Sequence, residues 1–209
     1  MARQTRQRIL DASLAMFNAQ GEPNVTTNHI ADELEISPGN LYYHFRNKDD
    51  IIEHLFGKYE ERIDAALAVP SGRLPGLEDV WLQLHLVFEC IWDYRFLYRD
   101  LVDILSRNRR LRIRFARILK RADEQAHAVM RGLTQAGVMR ASATELDAAA
   151  TNVLVIATFW MNYAAARGDK DEQASIRDGI VQVMMLVAPF LRDAERLHLH
   201  TLTGAYRQA

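Results

Sequence analysis

Residues 26–48, TTNHIADELEISPGNLYYHFRNK, hold two helix starts and one turn, which leaves few ways to fold them. Thr26 or Thr27 is placed to cap a first helix whose inward face is Ile30, Ala31 and Leu34. A threonine hydroxyl there accepts from an orphan backbone N–H, and the apolar residues recur at helical spacing. Ser37 followed by Pro38 is a second start. The hydroxyl caps, and proline at the first helical position lacks only a donor the helix could not use. Glu35 and Ile36 are then the turn. The second helix buries Leu41 and Phe45, four apart, and leaves Asn40, Tyr42, Tyr43 and His44 on its other faces.

Two short helices joined this way match a helix-turn-helix, which lays its second helix in the major groove of DNA. Gly39 lets backbone approach the duplex, and the Asn40 amide is suited to a base edge. Thr27, Tyr42, His44 and Lys48 carry the hydroxyls and cations that would hold phosphates and fix register without reading sequence. An ordinary helical hairpin is the competing reading, but it gives no reason for a polar outward face on the second helix.

The segment ISPGNLYYHFRNKDDII resembles the recognition-helix signature of the TetR family of bacterial one-component transcriptional regulators. The likeness covers roughly the first 60 residues. It implies an all-α chain with a three-helix N-terminal DNA-binding domain, taken as 1–50, and a larger helical-bundle regulatory domain, 51–209. It also implies a homodimer on palindromic operator DNA, most often as a repressor, released by a small-molecule effector. By the same resemblance Thr27, Pro38, Gly39, Asn40, Tyr42, Tyr43, His44 and Lys48 occupy DNA-contacting positions. The family often has glycine in the turn, where this chain has Glu35.

With 209 residues, 49% apolar and 25% charged, the chain has room for a small domain and a medium one. Its net charge of −1 gives no global argument for a nucleic-acid partner. Clustering does: Arg3, Arg6 and Arg8 precede the first acid, and Arg46 and Lys48 close the recognition segment. A lone cysteine, Cys90, rules out an internal disulfide framework and suits a reducing compartment. The N-terminus lacks a signal-peptide pattern and no uninterrupted apolar segment reaches bilayer length, so a cytoplasmic protein is expected.

Along the rest of the chain the patterning is helical throughout. A support helix spans 3–20, and a long helix begins after Asn47 and links the two domains. PSGRLPG, 70–76, is a loop, and a bulky amphipathic helix spans 77–93. Asn108 caps a helix running to Gly137, and Ser142 with Glu145 forms a capping box. Asp169 or Asp171 starts the following helix, which Pro189 ends or kinks, and a polar C-terminal helix reaches Tyr206.

Aromatic bulk between Trp81 and Trp160 is mostly core. Helices there could also surround a largely apolar effector, with Trp81, His85, Phe88, Trp92, Phe115 and Asn152 as candidate contacts. The helices at 144–166 and 171–188 suit a dimer bundle through Ala157, Trp160, Ile180, Val183, Met184 and Val187. Arg110, Arg114, Arg117 and Arg121 form one stripe, read as a solvated face or, more sharply, as a seat for an anionic effector. No cofactor, metal cluster or catalytic grouping is expected: His198 and His200 point to different faces, and there is no HExxH or glycine-rich phosphate loop. Two rival readings are a helical-bundle enzyme with a coincidental DNA-like motif and a regulator controlled by a protein partner.

Overall fold

The computed structural model describes residues 2–68, 72–169 and 171–208. Among them the regular elements are helices: α1 (Ala2–Gln20), α2 (Thr27–Glu33), α3 (Pro38–His44), α4 (Lys48–Leu67), α5 (Leu77–Asp93), α6 (Arg95–Arg99), α7 (Leu101–Arg107), α8 (Arg109–Gln135), α9 (Ala143–Arg167), α10 (Glu172–Val187) and α11 (Asp193–Gln208). Short 3-10 turns lie at Glu22–Asn24 and Ala188–Phe190, and one isolated antiparallel bridge joins Met139 to Leu191. The fold is all-α, as expected. Pro70 and Ser71 of the anticipated loop lie outside the described residues.

Local capping chemistry sets the helix starts. Ser142 Oγ accepts from Glu145 N–H while the Glu145 carboxylate accepts from Ser142 N–H at 2.7 Å. Asp171, rather than Asp169, caps α10 by accepting from Ala174 N–H. The Asn108 side chain accepts from Leu111 N–H at 3.1 Å and opens α8. Each places a short polar side chain where a first-turn N–H has no backbone acceptor.

The chain packs as two compact units: Met1–Arg62 with Asp93–Arg114, and Ile63–Trp92 with Phe115–Ala209. The division into these units falls inside α4 and α8 and at the end of α5. In the first unit α4 buries Ile51, Ile52, Leu55, Phe56 and Tyr59, which form one core with Ile9, Phe17, Ile30, Leu41 and Phe45. The segment from Asp93 belongs there because Asn18, itself buried, binds it twice. Its amide donates to Asp93 O at 2.8 Å, and its carbonyl accepts from Phe96 N–H at 3.1 Å.

In the second unit α9 and α10 pack closely around Gly179. A Cβ there would lie 2.6 Å from a Phe88 ring atom and 2.7 Å from one of Trp160. The Trp160 indole donates to Ser175 O at 2.6 Å, and Ile180, Val183, Met184 and Val187 are buried. By length and composition α9 could cross a membrane, its most apolar window having a mean hydropathy of 1.2. Its inner residues Thr158, Trp160, Met161 and Ala164 are packed within the unit, as in a bundle helix.

Candidate nucleic-acid interface

Thr26 caps α2: its hydroxyl accepts from His29 N–H at 3.2 Å, and its own N–H donates to the His29 ring. Ser37 Oγ accepts from Asn40 N–H at 3.2 Å, with Pro38 in the first turn of α3. Between them the chain reverses at Glu35, which adopts φ +53°. Ile36 N–H then donates back to Ala31 O at 3.0 Å. The carboxylate-bearing residue therefore takes the left-handed conformation for which glycine is best suited. The turn closes as a glycine turn would, with strain in place of freedom.

On α3 Leu41 is wholly buried, and Phe45, which ends the helix, is 1% exposed. Pro38, Gly39, Asn40, Tyr42 and Tyr43 are exposed, Tyr43 by 80%, while His44 is half-buried with its ring edge-on to Tyr43. A Cβ built on Gly39 would meet only Ser37 Oγ, at 3.9 Å, and its φ is not positive. The fold does not demand glycine there, whereas a close approach of backbone to a ligand would. Thr27 Oγ1 lies 3.0 Å from the Tyr42 hydroxyl. Two hydroxyls carry two protons and their mutual bond uses one, so the pair keeps an O–H to donate outward. The eight anticipated DNA-contacting residues thus divide into seven on or beside the outward side of α2 and α3, and Lys48.

Lys48 is occupied internally. Its ammonium donates to Glu22 O and Val25 O, each at 3.0 Å, and pairs with the Glu22 carboxylate at 2.8 Å. An ammonium has three protons, so none remains for a phosphate in this arrangement. The Glu22 carboxylate is 1% exposed and also pairs with Arg107. Its backbone N–H donates to Asp100, whose carboxyl is pushed up by burial. Lys48 therefore neutralises a buried acid and fastens the loop ahead of α2 to the first turn of α4.

Three of the four arginines of the α8 stripe are held in ion pairs, and Arg117 is exposed. In the first unit Arg110 pairs with Glu53 at 2.9 Å and Arg114 with Glu60 at 2.7 Å. In the second, Arg121 pairs with Asp64 at 2.7 Å. Glu53, Glu60 and Asp64 recur at helical spacing on α4, and that signal was present in the sequence.

The effector candidates in the second unit differ in burial. Phe88 and Phe115 are buried, Trp92 is half-buried, and Trp81 stacks on His85 with rings 5.7 Å apart. Asn152 is exposed. It lies on the outer stripe of α9 with Val155, Phe159 and Tyr163, so the structure does not bring it inside. A small apolar recess of about 80 Å³ involves Ala66, Pro75, Val80, Leu86 and Val129 instead. Of the anticipated dimer residues, Trp160, Ile180, Val183, Met184 and Val187 are buried in the unit's own packing and Ala157 is half-buried. The apolar side chains left outward are Val155, Phe159 and Tyr163, 45–55% exposed, which border a groove with Arg167 and Gln182. No group of three or more His, Cys, Asp or Glu among the described residues is placed to hold a metal.

A capped helix-turn-helix with a polar outward second helix, followed by a helical body, defines a DNA-binding regulator. The sequence profile for bacterial regulatory proteins of the tetR family matches residues 9–55, and that for bacterial transcriptional repressors of the TetR type matches 58–199. The chain belongs to the TetR family of transcriptional regulators. It is 38% identical to a TetR-family regulator from Marinobacter aquaeolei, with a TM-score of 0.88, covering 97% of this chain and 98% of that one. It is 35% identical over 63 residues to the HTH-type transcriptional regulator TtgW of Pseudomonas putida, a stretch that spans 30% of this chain and 47% of that protein. The SmeT–triclosan complex shares the fold at 20% identity and a TM-score of 0.61, covering 92% and 94% of the two chains.

Proposed function

We propose that the chain is a cytoplasmic transcriptional repressor that binds a palindromic operator as a homodimer and is released by a small, largely apolar effector. The observation that carries this is α3: it buries Leu41 and Phe45 and turns Gly39, Asn40, Tyr42 and Tyr43 outward from two capped helices. Asn40 reads a base edge. Pro38, Gly39, Tyr43 and His44 form the contact surface, and the Thr27–Tyr42 hydroxyl pair takes a phosphate. The reading assigns no catalysis.

A palindrome is read by two chains related by a two-fold axis, which sets recognition helices one DNA turn, ~34 Å, apart. The dimer surface is the Val155, Phe159 and Tyr163 stripe of α9 with the adjoining α10 groove. The effector enters the second unit, where the recess beside Val80 and Leu86 is the starting cavity. The triclosan bound by SmeT is a ligand of the kind envisaged. Helices α4 and α8 run unbroken through the division between units, so a ligand-induced tilt of either carries across. Coupling of about 1–3 kcal/mol is enough for useful switching.

The test is fluorescence anisotropy of a labelled duplex titrated with the chain at several salt concentrations. The affinity should fall steeply with salt, and Asn40→Ala should alter the preferred sequence and not merely weaken binding. Equal losses on every duplex would remove Asn40 from base reading, and salt-independent or absent binding would remove the function.

A further inference from the structure

Phe45 ends the recognition helix, its N–H donating to Leu41 O at 3.0 Å. One edge of its ring meets His54 at a centroid distance of 5.3 Å. Over the ring sits the guanidinium of Arg6, from α1, with Cζ 4.9 Å from the centroid. A guanidinium held over a ring by its charge keeps N–H donors that the ring does not use up. No carboxylate among the described residues lies within ion-pair distance of Arg6, which is half-buried. Other cations of the same unit are committed: Lys48 and Arg107 to Glu22, Arg62 to Asp93, Arg110 to Glu53 and Arg114 to Glu60. Arg6 is therefore an ordered cation beside the recognition helix whose donors have no acidic partner.

We propose that Arg6, held on Phe45, is an operator-phosphate contact that fixes the seating of α3, in the role the sequence assigns to Lys48. The inference rests on the DNA-binding reading. The stack with Phe45 already holds the side chain in place, so a charge-assisted bond to phosphate requires little further ordering. Arg3, exposed one turn earlier on the same side of α1, extends the positive face toward the chain start.

The experiment uses the full chain and a duplex that the parent enriches from a randomised pool, with affinities measured from about 50 to 300 mM salt. Arg6→Gln should weaken binding roughly tenfold at the lowest salt and reduce the slope of log affinity against log salt by about 0.9, the value of one phosphate contact. Arg6→Lys should restore the slope. Arg8→Gln, with the same charge change elsewhere on α1, should lower the slope less than Arg6→Gln does. Thermal melts of each variant report folding. An unchanged slope for Arg6→Gln, with or without a lowered Tm, would make Arg6 only a brace for Phe45 and overturn the contact. Equal slope changes for Arg6→Gln and Arg8→Gln would overturn it in favour of a diffuse field. If the parent itself shows no salt-dependent duplex binding, the proposed function falls and this inference with it, an outcome distinct from the other two.

Discussion

Glu35 holds φ +53°, a conformation that costs an L side chain roughly 1–2 kcal/mol, part of which glycine would give back as lost chain entropy. Glu35→Gly should therefore stabilise the fold by about 0.5–1 kcal/mol, a rise in Tm of roughly 2 °C. A melt showing no rise would mean that the turn is not strained. Removing its carboxylate should also tighten duplex binding, since the residue is exposed in the turn leading to α3. At Lys48 the expectation is the reverse of a phosphate contact. Lys48→Gln leaves the Glu22 carboxylate, 1% exposed, with Arg107 as its one cationic partner among the described residues. Stability should fall by about 2–4 kcal/mol in chemical denaturation while the salt slope of duplex binding stays unchanged. A lowered slope with unaltered stability would return Lys48 to the DNA. The caps at Thr26 and Ser37 were legible because capping couples residues three apart. The Lys48 clasp was not: its acid lies 26 positions away, and nothing local marks Glu22 as buried.

Among the elements, α9 and α10 show where periodicity stops being informative. α9 is apolar on more than one face, so periodicity alone did not separate Trp160 and Ile180, which are buried within the chain, from the outward residues. Val155, Phe159 and Tyr163, spaced by four, were an equally readable stripe, and only packing tells inner from outer. Gly179→Ala would drive a methyl to 2.6 Å from Phe88 and 2.7 Å from Trp160. It should destabilise by about 1–3 kcal/mol, read by chemical denaturation, and full stability would mean that the two helices part easily. Phe159→Glu leaves that core alone and places a charge on the proposed dimer face. It should yield a folded monomer in sedimentation, and an unchanged dimer would move the interface elsewhere. Between α8 and α9, His127 lies 2.9 Å from Asp123 O and 3.0 Å from the Asp147 carboxylate. The hydrogen bond to the Asp123 carbonyl first, and then Asp147, raise its pKa above the ordinary histidine value. Its contribution is fully present below that ordinary value and is lost as pH rises through the raised one. Melts of the parent from about pH 5 to 8 should show this loss, and His127→Gln should remove it.

For the whole molecule, the DNA-binding motif was legible from 23 residues because a helix-turn-helix is built from local signals. The two-unit division was not, since Asp93–Arg114 joins the DNA-binding helices through Asn18 and Glu22, contacts about 75 to 85 residues apart in sequence. The central claim is that two copies of α3, on a two-fold dimer, read successive major grooves of one operator. Selection of duplexes from a randomised pool by the purified chain, followed by sequencing and by sedimentation of the enriched complex, tests it most directly. An inverted repeat with half-sites about one helical turn apart should emerge, bound by a symmetric even number of chains, and Asn40→Ala should change the enriched bases. Enrichment of no sequence, or of a single half-site bound by one chain, would contradict the account.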